Sequence, residues 1–208
     1  MLSLRIRTLF LPVFLAMATT AVAQTEFSAE AVDLQKPRKF EPRNIYFGID
    51  KTRIDAEASR GRGAFIVNLV SQTSTILTPE QSTYFQTSMD RLQVGPLQIY
   101  AILRPNDIEN ACADWLKIKY MHVETCAKVG HEVLNGRKAV KYEGKCSGDV
   151  CHIWLDLDLF VPLKAETKLS SSELHDIHEG PQPVGLFEIP AGYTQTSIIG
   201  GVISNGPR

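Results

Sequence analysis

The sequence predicts a mainly β protein of the α+β class, in which a strongly curved antiparallel sheet carries one or two short helices over its concave face. Short runs of alternating residues recur along the chain with turn residues between them, which is the pattern of an antiparallel meander. Helical spacing of apolar residues is credible in one stretch only. A long sheet with so few helices has to bury one of its faces, and curling around an apolar concave surface achieves this.

The first strands form a predicted meander between residues 45 and 85. Apolar residues recur there at period two, first Ile45, Phe47 and Ile49 and then Phe65, Val67 and Leu69. Period two places such residues on one face of a strand. Residues 48–51 are turn-like, so the strand that begins at Ile45 is expected to turn there and return over residues 52–57. Further strands are expected over residues 65–70, 75–78 and 83–85.

The second half of the chain shows the strongest hairpin signal. Asn135 and Gly136 both tolerate the positive φ of a type I′ turn, so they are expected to join a strand at 131–134 to one at 138–142. A further strand is expected where apolar residues again recur at period two, at Ile153, Leu155, Leu157 and Leu159.

One helix is predicted after Pro105. Asn106 and Glu109 have the spacing of a capping box. The apolar residues that follow share one helical face, at i, i+4, i+7 and i+8: Ile108, Cys112, Trp115 and Leu116. The alternative is that Cys112 lies in a loop that a disulfide pins.

The first 23 residues have the form of a cleavable export signal. Arg5 and Arg7 precede an apolar run at 9–18, and Ala21 and Ala23 form a small-x-small cleavage site. We therefore expect a signal peptide at 1–23, a single domain at 24–199, a flexible tail at 200–208, and a periplasmic or secreted protein. No cysteine sits at the cleavage point, so a lipid anchor is not expected.

Composition and the lengths of the apolar runs argue against a nucleic-acid binder and against a membrane-spanning segment after the leader. The chain has 208 residues with 44% hydrophobic and 22% charged residues, as soluble globular proteins have. Removal of the leader takes two arginines and leaves 20 basic and 23 acidic residues, a balance that argues against a general nucleic-acid binder. No apolar run after the leader is long enough to span a bilayer, so no transmembrane segment is expected after cleavage.

Four cysteines allow three pairings. Pairing of neighbours, Cys112 with Cys126 and Cys146 with Cys151, is the simplest, and an oxidising compartment favours it. The alternative is a metal site at Cys146, Cys151 and His152. Zinc pairs more often have two or three intervening residues, so disulfides are favoured and no metal is expected.

The order of several motifs resembles a known family. These are the strand–turn–strand at 45–55, the meander at 65–84, the paired-cysteine segment at 110–130, the hairpin turn at 135–138, the hairpin at 154–164 and the closing segment at 186–193. Together they resemble the LolA-like superfamily of periplasmic lipoprotein carriers, in its extracytoplasmic branch with paired cysteines. The resemblance implies an open half-barrel whose concave face receives acyl chains.

The apolar face of the first meander is the candidate ligand site. With the fold that the resemblance implies, an apolar cavity would be lined by Ile45, Phe47, Phe65, Val67 and Leu69. The alternative is an ordinary sheet face packed under a helix. A cavity for acyl chains needs apolar area and a lid that excludes water rather than polar catalytic groups.

Other polar clusters have structural interpretations that we favour. His175 and His178 would lie close together in a helix and could chelate a metal, but a strand is expected there, which places them on opposite faces. The resemblance places Trp154, Asp156 and Asp158 at a hairpin turn, where aspartate is common, so we do not interpret them as a glycosidase carboxylate pair. A run of basic residues could contact lipid headgroups or an acidic partner, or be a solvated loop: Lys36, Arg38, Lys39 and Arg43.

These observations predict a binding protein and not an enzyme. The chain has no Gly-x-Ser-x-Gly elbow, no phosphate-binding glycine loop and no His-Glu-x-x-His motif. We expect a soluble periplasmic protein that binds a lipid, an acyl chain or a lipoprotein, without a cofactor and without nucleic acid. The alternative is an envelope protein-interaction or sensor domain that has no small-molecule ligand, and a hydrolase ranks last.

Overall fold

A computed structural model describes residues 25–35, 43–58, 61–91 and 97–197, with side chains described for all of these except 56–58, 61 and 62. The described chain forms one 12-stranded sheet in the order β12-β6-β5-β4-β3-β2-β1-β11-β10-β9-β8-β7. The expected leader, the expected tail and the basic residues Lys36, Arg38 and Lys39 lie outside the described residues.

The strands fall into two meanders that meet in the middle of the sheet. The first is β1 (Phe27–Asp33), β2 (Arg43–Phe47), β3 (Lys51–Ala58), β4 (Gly61–Asn68), β5 (Thr73–Thr78) and β6 (Thr83–Ser88). The second is β7 (Val123–Leu134), β8 (Arg137–Cys146), β9 (Asp149–Asp156), β10 (Pro162–Glu166) and β11 (Ser171–Glu179), and β12 (Thr194–Gln195) follows. Antiparallel pairing of β1 with β11 joins the two meanders.

The sheet is open, because β7 and β12 lie at opposite ends of the strand order. Neighbouring strands are antiparallel except β12, which pairs in parallel with β6. The predicted fold class, a curved antiparallel sheet in an open half-barrel with few short helices, is therefore confirmed. Curling lets one face of a long sheet enclose a core that a flat sheet of the same length would leave exposed.

Turn chemistry sets the strand boundaries. The predicted type I′ hairpin is present, with φ of 50° at Asn135 and 80° at Gly136. Ser147 and Gly148 repeat this geometry between β8 and β9, with φ of 51° and 88°. The turn predicted at residues 48–51 is also present, between β2 and β3, where Ile49 is 63% exposed.

The strand predicted from the alternation of Ile153, Leu155, Leu157 and Leu159 ends earlier than expected, because β9 stops at Asp156. Leu157 and Leu159 then lie in a turn. The reason is the Asp156 side chain: its Oδ1 accepts hydrogen bonds from the backbone N–H groups of Asp158 and Leu159, both at 2.8 Å. This Asx-type turn overrides the alternation of the leucines.

A segment at residues 97–121, the cap segment, crosses the concave face between the two meanders. It contains α1 (Gln98–Ile102), a 3₁₀ turn at Ile108–Asn110, α2 (Cys112–Leu116) and a second 3₁₀ turn at Lys119–Met121. Its side chains share one core cluster with the concave face of the sheet. The helices over the concave face are as predicted, although α1 was not located from the sequence.

The predicted helix after Pro105 is shorter than expected and is capped differently. Asp107, not Asn106, provides the cap, since its Oδ1 accepts from the backbone N–H of Glu109 at 2.9 Å. The 3₁₀ turn that follows has fewer residues per turn than an α-helix, which rotates the later residues around the axis. Trp115 is therefore fully buried, whereas Leu116 is 43% exposed.

The chain after β11 crosses the convex face of the first meander. Phe187 lies against Gly48, where a Cβ atom would be 3.2 Å from the ring. Arg53 Nη1 donates to the Leu186 carbonyl at 3.0 Å, and Tyr193 packs on a small convex cluster of Ala64, Ile66 and Leu77. This closing segment then ends in β12, which covers the β6 edge.

The predicted disulfide pairings are those of the structure. Cys112 at the start of α2 bonds to Cys126 on β7, with Cα atoms 5.4 Å apart. Cys146 and Cys151 bond across the β8–β9 hairpin, with Cα atoms 5.8 Å apart. The first bond therefore fastens the cap segment to an edge of the sheet, and the second fastens a hairpin.

Replacement of Cys112 and Cys126 by serine is expected to lower the free energy of unfolding by about 3 kcal/mol, since the bond closes a loop of about 15 residues. Urea unfolding followed by circular dichroism measures the change. The Cys146→Ser/Cys151→Ser variant is the matched control, with a smaller expected loss of about 2 kcal/mol because its loop is shorter. A larger loss in the control would contradict the proposed role of the first bond.

Candidate functional site

The five residues predicted to line a cavity lie beneath the cap segment. Ile45, Phe47 and Val67 are fully buried, Phe65 is 5% exposed and Leu69 is partly buried. The Phe27 and Phe47 rings stack with their centroids 4.0 Å apart. None of the five lines either of the two cavities described below, so ligand contact at these residues stays a prediction.

Apolar side chains of the cap segment occupy the concave face. The largest is Trp115, which packs on Gly144 of β8: a Cβ atom at Gly144 would lie 2.9 Å from Trp115 Cη2 and 2.7 Å from the Thr125 carbonyl oxygen. The absence of a side chain at Gly144 therefore leaves the space that the Trp115 indole occupies. The other fully buried large side chains of the cap segment are Ile99, Tyr100 and Leu103.

Two buried tyrosines tie the cap segment to the sheet. Tyr142 Oη of β8 donates to the Ile108 carbonyl at 2.6 Å and accepts from the Ala111 N–H at 3.1 Å. Tyr100 Oη of α1 donates to the Ser172 carbonyl at 2.7 Å and lies 3.0 Å from Ser172 Oγ. Burial raises the pKa of both phenols, so both remain protonated at neutral pH.

An ionic contact holds the cap segment to the exposed edge of the sheet. Glu109 accepts from Lys128 Nζ, and its Oε1 lies 2.9 Å from His131 Nε2. Both partners lie on β7. The pKa of Glu109 is below its usual value. The hydrogen bond from Lys128 is the largest cause, and the hydrogen bond from His131 is the next.

A cavity of about 350 Å³ opens where the β8–β9 hairpin meets the β10–β11 turn, and we call it the hairpin cavity. The cap segment forms its inner wall. Its lining residues are Ile99, Tyr120, Met121, Cys146, Ser147, Asp149, Val150, Ala165, Thr167, Lys168, Leu169, Ser170 and Ser172. Apolar side chains form much of this wall, and a volume of this size lies within the range of small-molecule sites.

A second cavity of about 690 Å³ lies on the other side of the cap segment, next to the β5–β6 end of the sheet, and we call it the cap cavity. Its lining is more polar and carries both signs of charge. The residues are Gln72, Ser88, Met89, Asp90, Gln98, Ile102, Leu103, Arg104, Asp114, Lys117, Ile118, Lys119, Tyr120 and His122.

Arg104 is the buried cation of the cap cavity. Its Nη2 donates to Thr52 Oγ1 at 2.7 Å, and its guanidinium lies 4.6 Å from the centroid of the Phe47 ring. Burial lowers the pKa of Arg104 to about 9, which leaves it cationic at neutral pH. The sheet thus supports this cation through a hydroxyl and an aromatic face.

Tyr120 is the residue that both cavities share. Its Oη is buried, and no residue of the described chain forms a hydrogen bond with it. Burial raises the pKa of Tyr120, so the hydroxyl remains a donor at physiological pH. The sequence pattern does not single out this residue, because a tyrosine in a short 3₁₀ turn has no periodic signal.

The residues considered for catalysis have structural contacts. Asp156 is fully buried and pairs with Arg137 of β8, whose Nη2 lies 3.3 Å from Asp156 Oδ1. Trp154 Nε1 donates to Glu132 Oε2 at 2.7 Å, and Lys141 and Lys164 lie over its ring. Of the three residues predicted to lie in a hairpin turn, only Asp158 does: Trp154 lies within β9, and Asp156, the last residue of β9, anchors the turn that follows.

The predicted strand at His175 and His178 is confirmed as β11. Asp176 between them has φ of 47°, and the register with β1 shifts at this point, so the strand carries a bulge. The described residues contain no group of three or more His, Cys, Asp and Glu side chains placed to hold a metal ion. They also contain no helix long and apolar enough to cross a bilayer.

Arg43, the described member of the basic run, begins β2. Burial lowers the pKa of this guanidinium, and the nearby Asp33 carboxylate acts in the opposite direction. Arg43 is thus a half-buried part of the sheet rather than a member of a solvated loop.

No protein-family model matches this chain, and a search of curated proteins gives no match. Solved structures do match. An uncharacterized conserved protein from Thermus thermophilus is similar at 10% identity over 84% of this chain and 91% of that chain, with a TM-score of 0.52. The PNGF-II structure is similar at 15% identity and a TM-score of 0.51, over 84% of this chain and 31% of that chain.

A LolA superfamily protein from Nitrosomonas europaea is also among the similar structures, at 11% identity over 79% of this chain and 90% of that chain, with a TM-score of 0.33. This chain spans about a third of the PNGF-II chain. The likeness to the Thermus thermophilus protein and to PNGF-II, each with a TM-score just above 0.5, concerns the fold and leaves activity open.

Proposed function

We propose that this protein is an extracytoplasmic binding protein that holds one apolar chain, such as the acyl chain of a lipid or a lipidated protein, and catalyses no reaction. The observation that carries the proposal is the hairpin cavity, of about 350 Å³. About half of its lining residues are apolar, and an apolar wall is the usual basis of a site for a hydrophobic ligand.

The cavity is built from parts that are well suited to hold such a chain. Ile99, Met121 and Ala165 supply apolar surface on the cap and sheet sides, and Val150 and Leu169 supply it at the mouth. Burial of a ligand against these side chains releases water from apolar surface, at about 25 cal/mol per Å². The exposed fractions of Val150 (59%) and Leu169 (83%) are consistent with a site that a ligand would cover.

The proposed location outside the cytoplasm rests on the disulfides. All four cysteines are paired in the structure, a state that oxidising compartments maintain. We propose that residues 24–199 form the mature domain after cleavage at Ala23. The predicted contact of an acyl chain with Ile45, Phe47, Phe65, Val67 and Leu69 stays part of this proposal, although the cap segment covers these residues in the structure.

Filling the cavity provides the test. Replacement of Ala165 by phenylalanine is expected to weaken binding of the fluorescent probe phenylnaphthylamine about tenfold, since the ring occupies the apolar volume. Val129→Phe is the matched control, because Val129 lies on β7, is 55% exposed and does not line the cavity. Fluorescence titration of delipidated protein gives the affinities, and thermal melting checks that both variants fold.

Two outcomes would count against the proposal. One is that the wild-type protein binds no phenylnaphthylamine and that solvent extraction of protein from its native envelope, followed by mass spectrometry, yields no lipid. The other is equal probe affinity for wild type and Ala165→Phe. Val150→Phe serves where Ala165→Phe does not fold, since Val150 lines the mouth and is largely exposed.

A protein-interaction module is the second candidate, and the β7 edge favours it. β7 has 12 residues and lies at the end of the sheet, where a partner strand can add to it. Val129 and Val133 are exposed on this strand at 55% and 67%. A Val129→Lys/Val133→Lys variant should then lose an envelope partner that wild type retains in pull-down, while its binding of phenylnaphthylamine stays unchanged.

A further inference from the structure

The hydroxyl of Tyr120 is the feature of the cavities that packing does not explain. It is buried, and within the described chain nothing accepts its proton. Buried hydroxyls normally have a partner, and an unpartnered one in a native structure points to a functional role or to an absent ligand. Because the residue lines both cavities, a ligand in the hairpin cavity would lie against the Tyr120 side chain.

The neighbouring hydroxyls are already engaged with each other. Tyr100 Oη donates to the Ser172 carbonyl, so its 3.0 Å contact with Ser172 Oγ leaves the serine as the donor in that pair. The Ser172 side chain also lines the hairpin cavity. Of these three hydroxyls, Tyr120 is the one whose proton is available to a ligand.

The charges at the cavity mouth offset each other. Lys168 Nζ lies 3.1 Å from Asp149 Oδ1, and both residues line the hairpin cavity. A charged headgroup would therefore meet a paired cation rather than a free one, and its burial beside apolar side chains would be unfavourable. An uncharged oxygen acceptor is the group that a single phenol donor satisfies at low desolvation cost.

We infer that Tyr120 sets ligand specificity, by donating a hydrogen bond to an uncharged carbonyl oxygen of the chain held in the hairpin cavity. The protein then selects acyl chains in ester or amide linkage over hydrocarbons and over ionised fatty acids. This inference rests on the proposed function, and it adds the polar group that the ligand must carry. A site built to bond an oxygen discriminates against an analogue that lacks it, because the buried donor then stays unpaired.

The experiment compares three probes that differ in one group: methyl undecyl ketone, tridecane and dodecanoate. Each displaces phenylnaphthylamine from delipidated protein at neutral pH. Wild type is expected to bind the ketone about tenfold more tightly than tridecane, the effect of one buried hydrogen bond. Tyr120→Phe is expected to lose this preference, with tridecane affinity unchanged.

Tyr100→Phe is the matched control, because it removes a buried hydroxyl that already has a partner. It should melt at a lower temperature and keep the preference for the ketone. Equal ketone affinity in wild type and Tyr120→Phe would overturn the inference while leaving the proposed function intact. So would tighter binding of dodecanoate than of the ketone. Failure of the wild type to bind any of the probes would instead remove the proposed function itself.

Discussion

Replacement of Trp115 by alanine is expected to lower the free energy of unfolding by about 4 kcal/mol. The indole is fully buried at the centre of the contact between α2 and the concave face of the sheet. Its removal leaves a cavity against Gly144, which a backbone without a side chain cannot fill by rotamer changes. Large buried aromatic side chains replaced by alanine give losses of this size, because transfer and cavity terms add.

Urea unfolding followed by circular dichroism measures this change. The control is Leu116→Ala, since Leu116 is the next residue of α2 but is 43% exposed. Its expected loss is below about 1 kcal/mol, because little apolar surface is buried there. Similar losses for the two variants would show that the helix and not the indole supports the cap segment. Gly144→Ala should also destabilise, since its new Cβ atom would lie 2.9 Å from Trp115.

Replacement of Asp156 by alanine is expected to lower the free energy of unfolding by about 4 kcal/mol, for a different reason. The carboxylate is fully buried, it pairs with Arg137, and it accepts the N–H groups of Asp158 and Leu159. Its loss leaves the two N–H groups without their acceptor and leaves Arg137 with Glu179, which accepts from its Nη1 at 2.8 Å, as its other carboxylate partner. The pKa of Arg137 is raised chiefly by this carboxylate, which is consistent with the strength of the pair.

Asp158→Ala is the matched control, since Asp158 lies in the same turn with an exposed side chain. Its expected change is within about 0.5 kcal/mol. Thermal melts and urea titrations of the two variants, each measured against wild type, show whether Asp156 stabilises the fold. A loss near zero for Asp156→Ala would mean that the buried pair contributes nothing net. That result would also reopen the question of a catalytic use for this carboxylate.

The parts of the fold that were predictable are local in origin. Asn135 and Gly136 carry their turn preference in their own backbone energetics, and the structure has the hairpin there. The pairing of Cys146 with Cys151 follows from the short chain between them. In contrast, Leu157 alternates correctly for a strand but lies in a turn, because the Asp156 side chain competes with strand pairing.

The candidate site was only partly predictable. Phe47 and Val67 were placed correctly on an apolar face, but the cap segment covers that face in the structure. The hairpin cavity instead combines Ile99, Tyr120 and Ala165 from separate parts of the chain. No pattern within a short window encodes which of these side chains meet. Tyr120 in particular becomes notable only through the absence of a partner among its described neighbours.

The sequence by itself determined the strands, the hairpin turns and the class of fold, because periodicity and turn chemistry act over a few neighbouring residues. Tertiary structure decided how the cap segment fills the curved sheet, where space is left over and which polar atoms are left unpaired. Those outcomes depend on the fit of surfaces distant in the chain, such as Trp115 against Gly144. Close packing makes that fit specific, and no single segment of the sequence contains enough information to predict it.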